Sequence, residues 1–167
     1  SSGSTTTVPE LTIVRATSSV EFSDDFNDNN PGSRWTNEVG TWMSDGAGRF
    51  MPTDLGWNIA TAVKNGTPVS LLDCVVEAQM EGRESQLIAR YKDSQNMLFL
   101  NYSARASFYW HEVHDNQWPA SISQDVFIDE SGSFYMRAVV AGDTAQGFIS
   151  DGYNTYWTEP YKLSWVL

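Results

Sequence analysis

Residues 21–28, Glu21-Phe-Ser-Asp-Asp-Phe-Asn-Asp28, place an aromatic pair around two acids and open the region that decides the fold. Arg34-Trp35 follows at short range, and Val39-Gly-Thr-Trp-Met-Ser-Asp-Gly46 then places a short Trp-containing strand before an Asp-Gly turn. Between them, Asn27–Gly32 has turn chemistry, because Asn and Asp tolerate left-handed backbone and Pro fixes φ. The pattern predicts the start of a β-sandwich, and it contains no arrangement typical of a catalytic site.

Length and composition indicate one globular domain made of strands. The chain has 167 residues, with 13% aromatic and 19% charged residues, which favours strands packed on strands. A Ser/Gly/Thr tract opens the chain, so we expect residues 1–10 to form a flexible linker or tag remnant and residues 11–167 a single domain. The net charge of −11 repels nucleic-acid phosphates and anionic lipids. Nucleic acid is therefore not an expected partner, and no apolar run is long enough to predict membrane insertion.

Apolar and polar residues alternate in many short runs separated by Gly, Asn and Asp, and helical spacing is hard to find. This pattern predicts an all-β fold, a two-sheet antiparallel β-sandwich. The predicted strands cover residues 11–15, 19–22, 41–44, 48–52, 58–63, 73–80, 86–92, 97–103, 107–113, 134–141, 146–150 and 162–166. Cys74, the only cysteine, lies in one of these runs and is predicted to be a small core residue, with no intrachain disulfide.

Two predicted central strands each carry an arginine. In residues 86–92, strict alternation puts Leu87, Ala89 and Tyr91 on one face and Ile88 and Arg90 on the other. In residues 134–140, it puts Arg137 on the face of Tyr135 and Val139, opposite a second face that is apolar and consists of Phe134, Met136, Ala138 and Val140. Such an arginine either lies flat with its stem packed and its head in water, or donates hydrogen bonds to a ligand. Both alternatives stay open.

Several segments resemble one family. Phe22-Ser-Asp-Asp-Phe26, Arg34-Trp35, Gly40-Thr-Trp42 and Asp45-Gly46 resemble the N-terminal signature of concanavalin A-like, laminin-G-like jelly rolls. The resemblance continues through Ile88–Leu100 and through Phe134–Gly142 towards Asp151-Gly152. It implies two antiparallel sheets in a jelly roll, an extracellular location or one on a cell or virion surface, and a carbohydrate ligand.

Catalytic patterns are missing from the sequence. Sandwich glycanases carry paired carboxylates as Glu-x-Asp-x-x-Glu on one strand, and no such run occurs. His111-Glu-Val-His114 does not suit a metal on a strand, because positions three apart face opposite sides. We therefore expect no enzymatic activity, although an accessory domain of a polysaccharide-acting enzyme fits the same features.

Acidic residues suggest a calcium site. Asp24, Asp25 and Asp28 offer hard oxygen ligands within one turn, and Asp151 could join them through the fold. The alternative, which we favour, is that these side chains cap their own backbone in Asx turns. No cofactor is required by the sequence, and Ca²⁺ is the only candidate.

Aromatic and polar residues cluster as a sugar site requires, because pyranose C–H faces pack on rings while the hydroxyls need donors and acceptors. We predict a noncatalytic, lectin-like module for glycan or polysaccharide. The alternative is a structural domain of a virion, fibre or adhesin assembly, docking on other protein subunits. The candidate ligand-binding residues are Arg90, Tyr109, Trp110, His111, Trp118, Arg137, Tyr156 and Trp157.

Overall fold

A computed structural model describes residues 22–27, 34–53, 58–64, 67–68, 73–82, 84–103, 106–119 and 123–164. Within these ranges the regular structure consists of antiparallel strands without an α-helix, which confirms the all-β prediction. Among the same residues, no helix is long and apolar enough to span a membrane. The linker predicted over residues 1–10, the strand predicted over 11–15 and residues 19–21 of the strand predicted over 19–22 lie outside the described residues, and Phe22 is not in a strand.

The chain contains two compact units, one within Arg15–Ser70 and one within Leu71–Leu167. In the first unit, β1 (Trp35–Val39) pairs with β4 (Ile59–Lys64), which pairs with β5 (Thr67–Pro68). A separate hairpin joins β2 (Trp42–Ser44) to β3 (Phe50–Pro52).

Five aromatic rings of the described residues pack together in the first unit. The Phe50 ring stacks on Phe26 at 5.1 Å and on Trp42 at 5.2 Å, and lies 5.0 Å from Trp35. Phe22 meets Trp35 edge-on at 5.3 Å. The alternating aromatics of this region therefore act as packing residues.

The second unit holds two larger sheets. One has the order β10-β9-β8-β7, and the other has the order β13-β12-β11-β6, with β14 also paired to β12. Their strands are β6 (Cys74–Glu81), β7 (Ser85–Asp93), β8 (Asn96–Ser103), β9 (Ser107–Val113), β10 (Ser123–Asp125), β11 (Ser133–Ala141), β12 (Thr144–Ser150), β13 (Thr155–Trp157) and β14 (Tyr161–Lys162).

The two sheets share one buried cluster to which both contribute apolar side chains. The Tyr102 ring on β8 meets the Phe134 ring on β11 at 5.3 Å. Gly147 on β12 lies so close to β8 that a Cβ there would be 2.4 Å from Leu100 Cδ1. Each sheet thus has an inner face towards this cluster and an outer face on the other side. Cys74 belongs to the cluster and is 5% exposed, as predicted.

The predicted alternation is confirmed on β11 and for Leu87 and Ala89 of β7, and it is wrong for Arg90 and Tyr91 of β7. On β11, the predicted apolar face of Phe134, Met136, Ala138 and Val140 is buried in the shared cluster. On β7 the pairing register shifts between Ile88 and Arg90, because the strand carries a bulge there. Arg90 therefore pairs with Leu98 of the shared cluster, while Tyr91 pairs with Met97. The bulge moves Arg90 to the inner face and Tyr91 to the outer face, opposite to the prediction.

Candidate functional site

Three predicted ligand-binding residues come together on the outer face of the β7–β10 sheet. Tyr109 and His111 lie two residues apart on β9 and share its outer face, and their ring centres lie 4.8 Å apart. The His111 ring stacks on Phe99 of β8 at 5.0 Å, and Trp118 meets His111 edge-on at 5.4 Å. Phe99 is only 1% exposed, whereas Trp118 is 46% exposed. We name Phe99, Tyr109, His111 and Trp118 the Trp118 surface.

A tight turn positions Trp118. The ends of His114–Gln117 exchange two backbone hydrogen bonds, and the central pair Asp115–Asn116 has φ of +47° and +59°. Asn and Asp adopt this left-handed backbone more readily than other side chains, which suits a two-residue turn. The side-chain oxygen of Asn96 also accepts a hydrogen bond from the Asp115 amide at 3.1 Å. The turn is therefore fixed from both sides, and so is the position of the ring that follows it.

An open depression of about 410 Å³ lies beside Trp118. Its lining combines an imidazole, a carboxylate, a carboxamide and apolar ring surface, and consists of His114, Asp115, Gln117, Trp118 and Pro119. Such a set offers hydrogen-bond donors, acceptors and a flat apolar contact within one small area.

The ionisable side chains of the Trp118 surface are neutral at pH 7. Burial lowers the pKa of His111 below its usual 6.5. Burial, and secondarily the charge of Glu84, raises the pKa of Tyr109 above 10.0. Within the described part of the chain, Nδ1 of His111 and Nδ2 of Asn101 are buried without a hydrogen-bond partner. An uncharged ligand would therefore meet no ionised ring on the Trp118 surface.

Three other predicted ligand-binding residues contact the protein interior and are not part of the candidate site. Trp110 is 2% exposed in the shared cluster, because its place on β9 alternates with Tyr109 and His111. Arg90 is 5% exposed and donates a hydrogen bond to the Gly142 carbonyl at 2.7 Å. Tyr156 packs against the shared cluster. At these positions the two rings and the guanidinium contact other parts of the protein.

Arg137 and Trp157 lie on the outer face of the other large sheet. Arg137 on β11 is directly opposite Glu77 on β6 and Phe148 on β12, and Phe148 is opposite Trp157 on β13. We name these four residues the Arg137 row. Arg137 Nε lies 2.7 Å from Glu77 Oε1, and its guanidinium carbon lies 5.7 Å from the centre of the Phe148 ring. The Phe148 and Trp157 rings meet at 4.7 Å.

The acids considered for calcium accept hydrogen bonds from the protein. Asp24 Oδ1 accepts from the Phe26 amide and Oδ2 from Trp35 Nε1 at 2.8 Å, while Asp25 Oδ1 accepts from the Asn27 amide. Both belong to the first unit, and Asp28 lies outside the described residues.

Asp151 belongs to the second unit and caps a turn of its own. Its carboxylate accepts the backbone amides of Asn154, Asp129 and Tyr153, and these bonds lower its pKa. In the described ranges, no three His, Cys, Asp or Glu side chains converge as metal ligands would. Calcium binding therefore stays a prediction. Asx turns account for the bonds from the Phe26, Asn27 and Tyr153 amides, whereas Trp35 and Asp129 reach Asp24 and Asp151 from distant parts of the chain.

Sequence reasoning missed Phe99, Glu77 and Phe148. The sequence of a single strand does not determine which rings of neighbouring strands lie beside Phe99 or Phe148. The register between strands does, since it sets Phe99 opposite His111 and Phe148 opposite Arg137. The one sequence signal for Phe148 is alternation along its own strand, which places it on the opposite face from Ile149.

Comparisons of the chain with models of known families, with curated proteins and with solved structures found no match.

Proposed function

We propose that this protein is a noncatalytic carbohydrate-binding module, a two-sheet antiparallel sandwich of the jelly-roll type. Its binding site is the Trp118 surface with the adjoining depression, and its setting is extracellular or on a cell or virion surface. The observation that carries the proposal is the ring of Trp118, which is 46% exposed and lies in edge contact with His111 beside the open depression.

Large exposed rings need an explanation because they forgo burial. Burying the large apolar surface of a tryptophan ring lowers the free energy. A half-exposed ring has buried only part of that surface, so a ligand that covers the rest gains further free energy. The fixed turn before Trp118 reduces the ordering cost of binding. A pyranose ring offers the matching C–H face, so Trp118 supplies the stacking platform.

Polar groups around the ring supply the rest of the recognition. Gln117 offers a donor and an acceptor, Asp115 offers acceptors, and neutral His111 and Tyr109 suit an uncharged ligand. Glycoside hydrolysis needs two carboxylates across the scissile bond, and the described lining of the depression contains one, Asp115. These features support binding without cleavage, with an affinity of roughly −8 to −4 kcal/mol, typical of micromolar to millimolar sites.

A glycan array with the labelled wild-type protein tests the function. We expect binding to at least one neutral oligosaccharide, and a loss of about tenfold or more in Trp118→Ala, since tenfold corresponds to about 1.4 kcal/mol. Tyr153→Ala is the matched control, because Tyr153 is 95% exposed but lies outside the Trp118 surface. Equal glycan retention by Trp118→Ala and wild type would remove the site assignment.

A second candidate function is docking on protein subunits in a virion, fibre or adhesin assembly. Two exposed rings favour it, Phe127 at 73% and Tyr153 at 95%. Their segments are tied together, because Asp151 Oδ2 accepts a hydrogen bond from the Asp129 amide at 2.9 Å. A stable oligomer in light scattering, together with no glycan signal, would favour this function over carbohydrate binding.

A further inference from the structure

The outer face of the β6–β11–β12–β13 sheet carries a set of side chains that the Trp118 surface does not use. The outer face of an antiparallel sheet is usually polar. Here the Arg137 row places two half-buried rings, Phe148 and Trp157, beside a charged pair on that face. Val75, on the same strand as Glu77, adds apolar surface and is 50% exposed.

The side chains of the row contact one another in the absence of a ligand. Its guanidinium carbon lies 5.7 Å from the Phe148 ring centre and 5.9 Å from that of Tyr135, within cation–π distance of both rings. Glu77 holds the Nε side of the guanidinium at 2.7 Å, and Phe148 meets Trp157 at 4.7 Å. Side chains fixed in this way lose little further freedom when a ligand binds.

The chemistry of the row selects a class of ligand. Adjacent strands lie about 4.8 Å apart, so four side chains in register span about 14 Å, a length suited to a short linear oligosaccharide. The guanidinium of Arg137 and the carboxylate of Glu77 can form hydrogen bonds with sugar hydroxyls, while the rings offer flat apolar contact. Glu77 balances the charge of Arg137, and the chain as a whole carries −11, so a neutral glycan is favoured over an anionic one.

We propose that the Arg137 row is a second glycan-binding surface, so that the module binds two neutral glycan chains at once. The inference rests on the proposed carbohydrate-binding function. Because both large sheets turn their inner faces to one shared cluster, their outer faces point away from each other. Two chains held on opposite faces are bridged by the protein, which makes the module a cross-linker of polysaccharide.

Nuclear magnetic resonance of ¹⁵N-labelled protein separates the two surfaces. The probes are neutral hexasaccharides, namely cellohexaose, xylohexaose, mannohexaose and laminarihexaose. We expect one of them to shift the amides of Arg137 and Phe148 and the indole signal of Trp157, with two hexasaccharides bound per chain by calorimetry. Trp157→Ala is expected to remove the shifts of the row, weaken binding there about tenfold or more, and reduce the stoichiometry to one.

Controls keep a folding defect apart from a binding defect. Glu77→Gln keeps every ring and removes one charge, and we expect the shifts of the row to weaken while the melting temperature changes little. Tyr153→Ala lies outside both surfaces and should leave both sets of shifts intact.

Each outcome has a defined meaning. Shifts confined to the Trp118 surface, with one hexasaccharide bound, would overturn the second surface and support the first. Shifts confined to the row would support the row as a glycan-binding surface, but they would overturn the site proposed around Trp118 and the cross-linking of two chains. Absence of shifts in the row with all four probes overturns the inference.

Discussion

The guanidinium of Arg90, on β7 of one sheet, donates a 2.7 Å hydrogen bond to the carbonyl of Gly142, in the β11–β12 turn of the other sheet. The amide of Gly142 donates in turn to Asp73 Oδ1 at 2.7 Å. Gly142 has φ of +58°, which suits glycine in this turn. An arginine that the sequence leaves open as a ligand contact thus connects the two sheets.

Arg90→Ala is expected to lower the free energy of unfolding by about 2–3 kcal/mol, because a hydrogen bond from a buried charged group and its stem packing are lost. Lys92→Ala, at an exposed position of the same strand, is the control and should change it by less than about 0.5 kcal/mol. Urea denaturation measures both. Equal stability of the two variants would contradict the role given to Arg90.

Gly147→Ala tests the close packing of the two sheets. The new Cβ would lie 2.4 Å from Leu100 Cδ1 and 3.1 Å from Phe108, and Leu100 is fully buried, so we expect a loss of about 1–3 kcal/mol in unfolding free energy. At Gly132 no atom lies within 4 Å of the added Cβ, so Gly132→Ala should be nearly neutral. A Gly147→Ala variant as stable as wild type in the same denaturation experiment would show that β12 does not approach β8 so closely.

Cys74 is expected to be unreactive in the folded protein. Burial, the largest cause, raises its pKa from 9.0 to about 11, so its thiolate fraction at pH 8 falls about 100-fold. Ellman's reagent should leave the native thiol unmodified over minutes and should titrate one thiol in guanidinium chloride. Rapid labelling of the native protein would place Cys74 outside the core.

The pH dependence of stability reports the environment of His111. Its folded pKa lies below 6.5, so the unfolded chain takes up the proton first as pH falls, and stability decreases below about pH 6.5. His111→Gln removes this contribution. The difference in unfolding free energy between wild type and His111→Gln should therefore be constant from pH 7 to 8 and shift against wild type below pH 6.5. A pH-independent difference would mean that His111 is solvated.

Calcium removal is expected to leave the protein unchanged, because Asp24, Asp25 and Asp151 already accept hydrogen bonds from the chain. Melting temperatures with EDTA and with millimolar CaCl₂ should agree within about 1 °C, well below the shift that a bound ligand in large excess produces. A higher melting temperature in CaCl₂ than in EDTA would establish the calcium site that the sequence suggests.

Local pattern was enough for the longer strands and for part of the core, but it did not predict β1, β5, β10 or β13. Alternation on β11 correctly separates the buried face of Phe134 from the face of Arg137, because the period of a strand is fixed by its backbone. Strict alternation fails at Arg90, because the bulge on β7 places this side chain on the inner face.

The candidate site depends on information that no single segment carries. Trp110 and Trp118 are both aromatic residues in a polar neighbourhood, yet one is 2% exposed and the other 46%. The difference comes from the second sheet that covers the inner face of β9, and from the turn that follows β9. Likewise, Phe148 joins Arg137 only through the register of β11 with β12.

Isothermal titration calorimetry of the best array glycan against wild type, Trp118→Phe and Trp118→Ala tests the central claim most directly. If Trp118 is the stacking platform, Trp118→Phe keeps a measurable part of the affinity and Trp118→Ala loses about tenfold or more, with unchanged melting temperatures. Equal affinities for all three proteins would contradict a carbohydrate site at this ring.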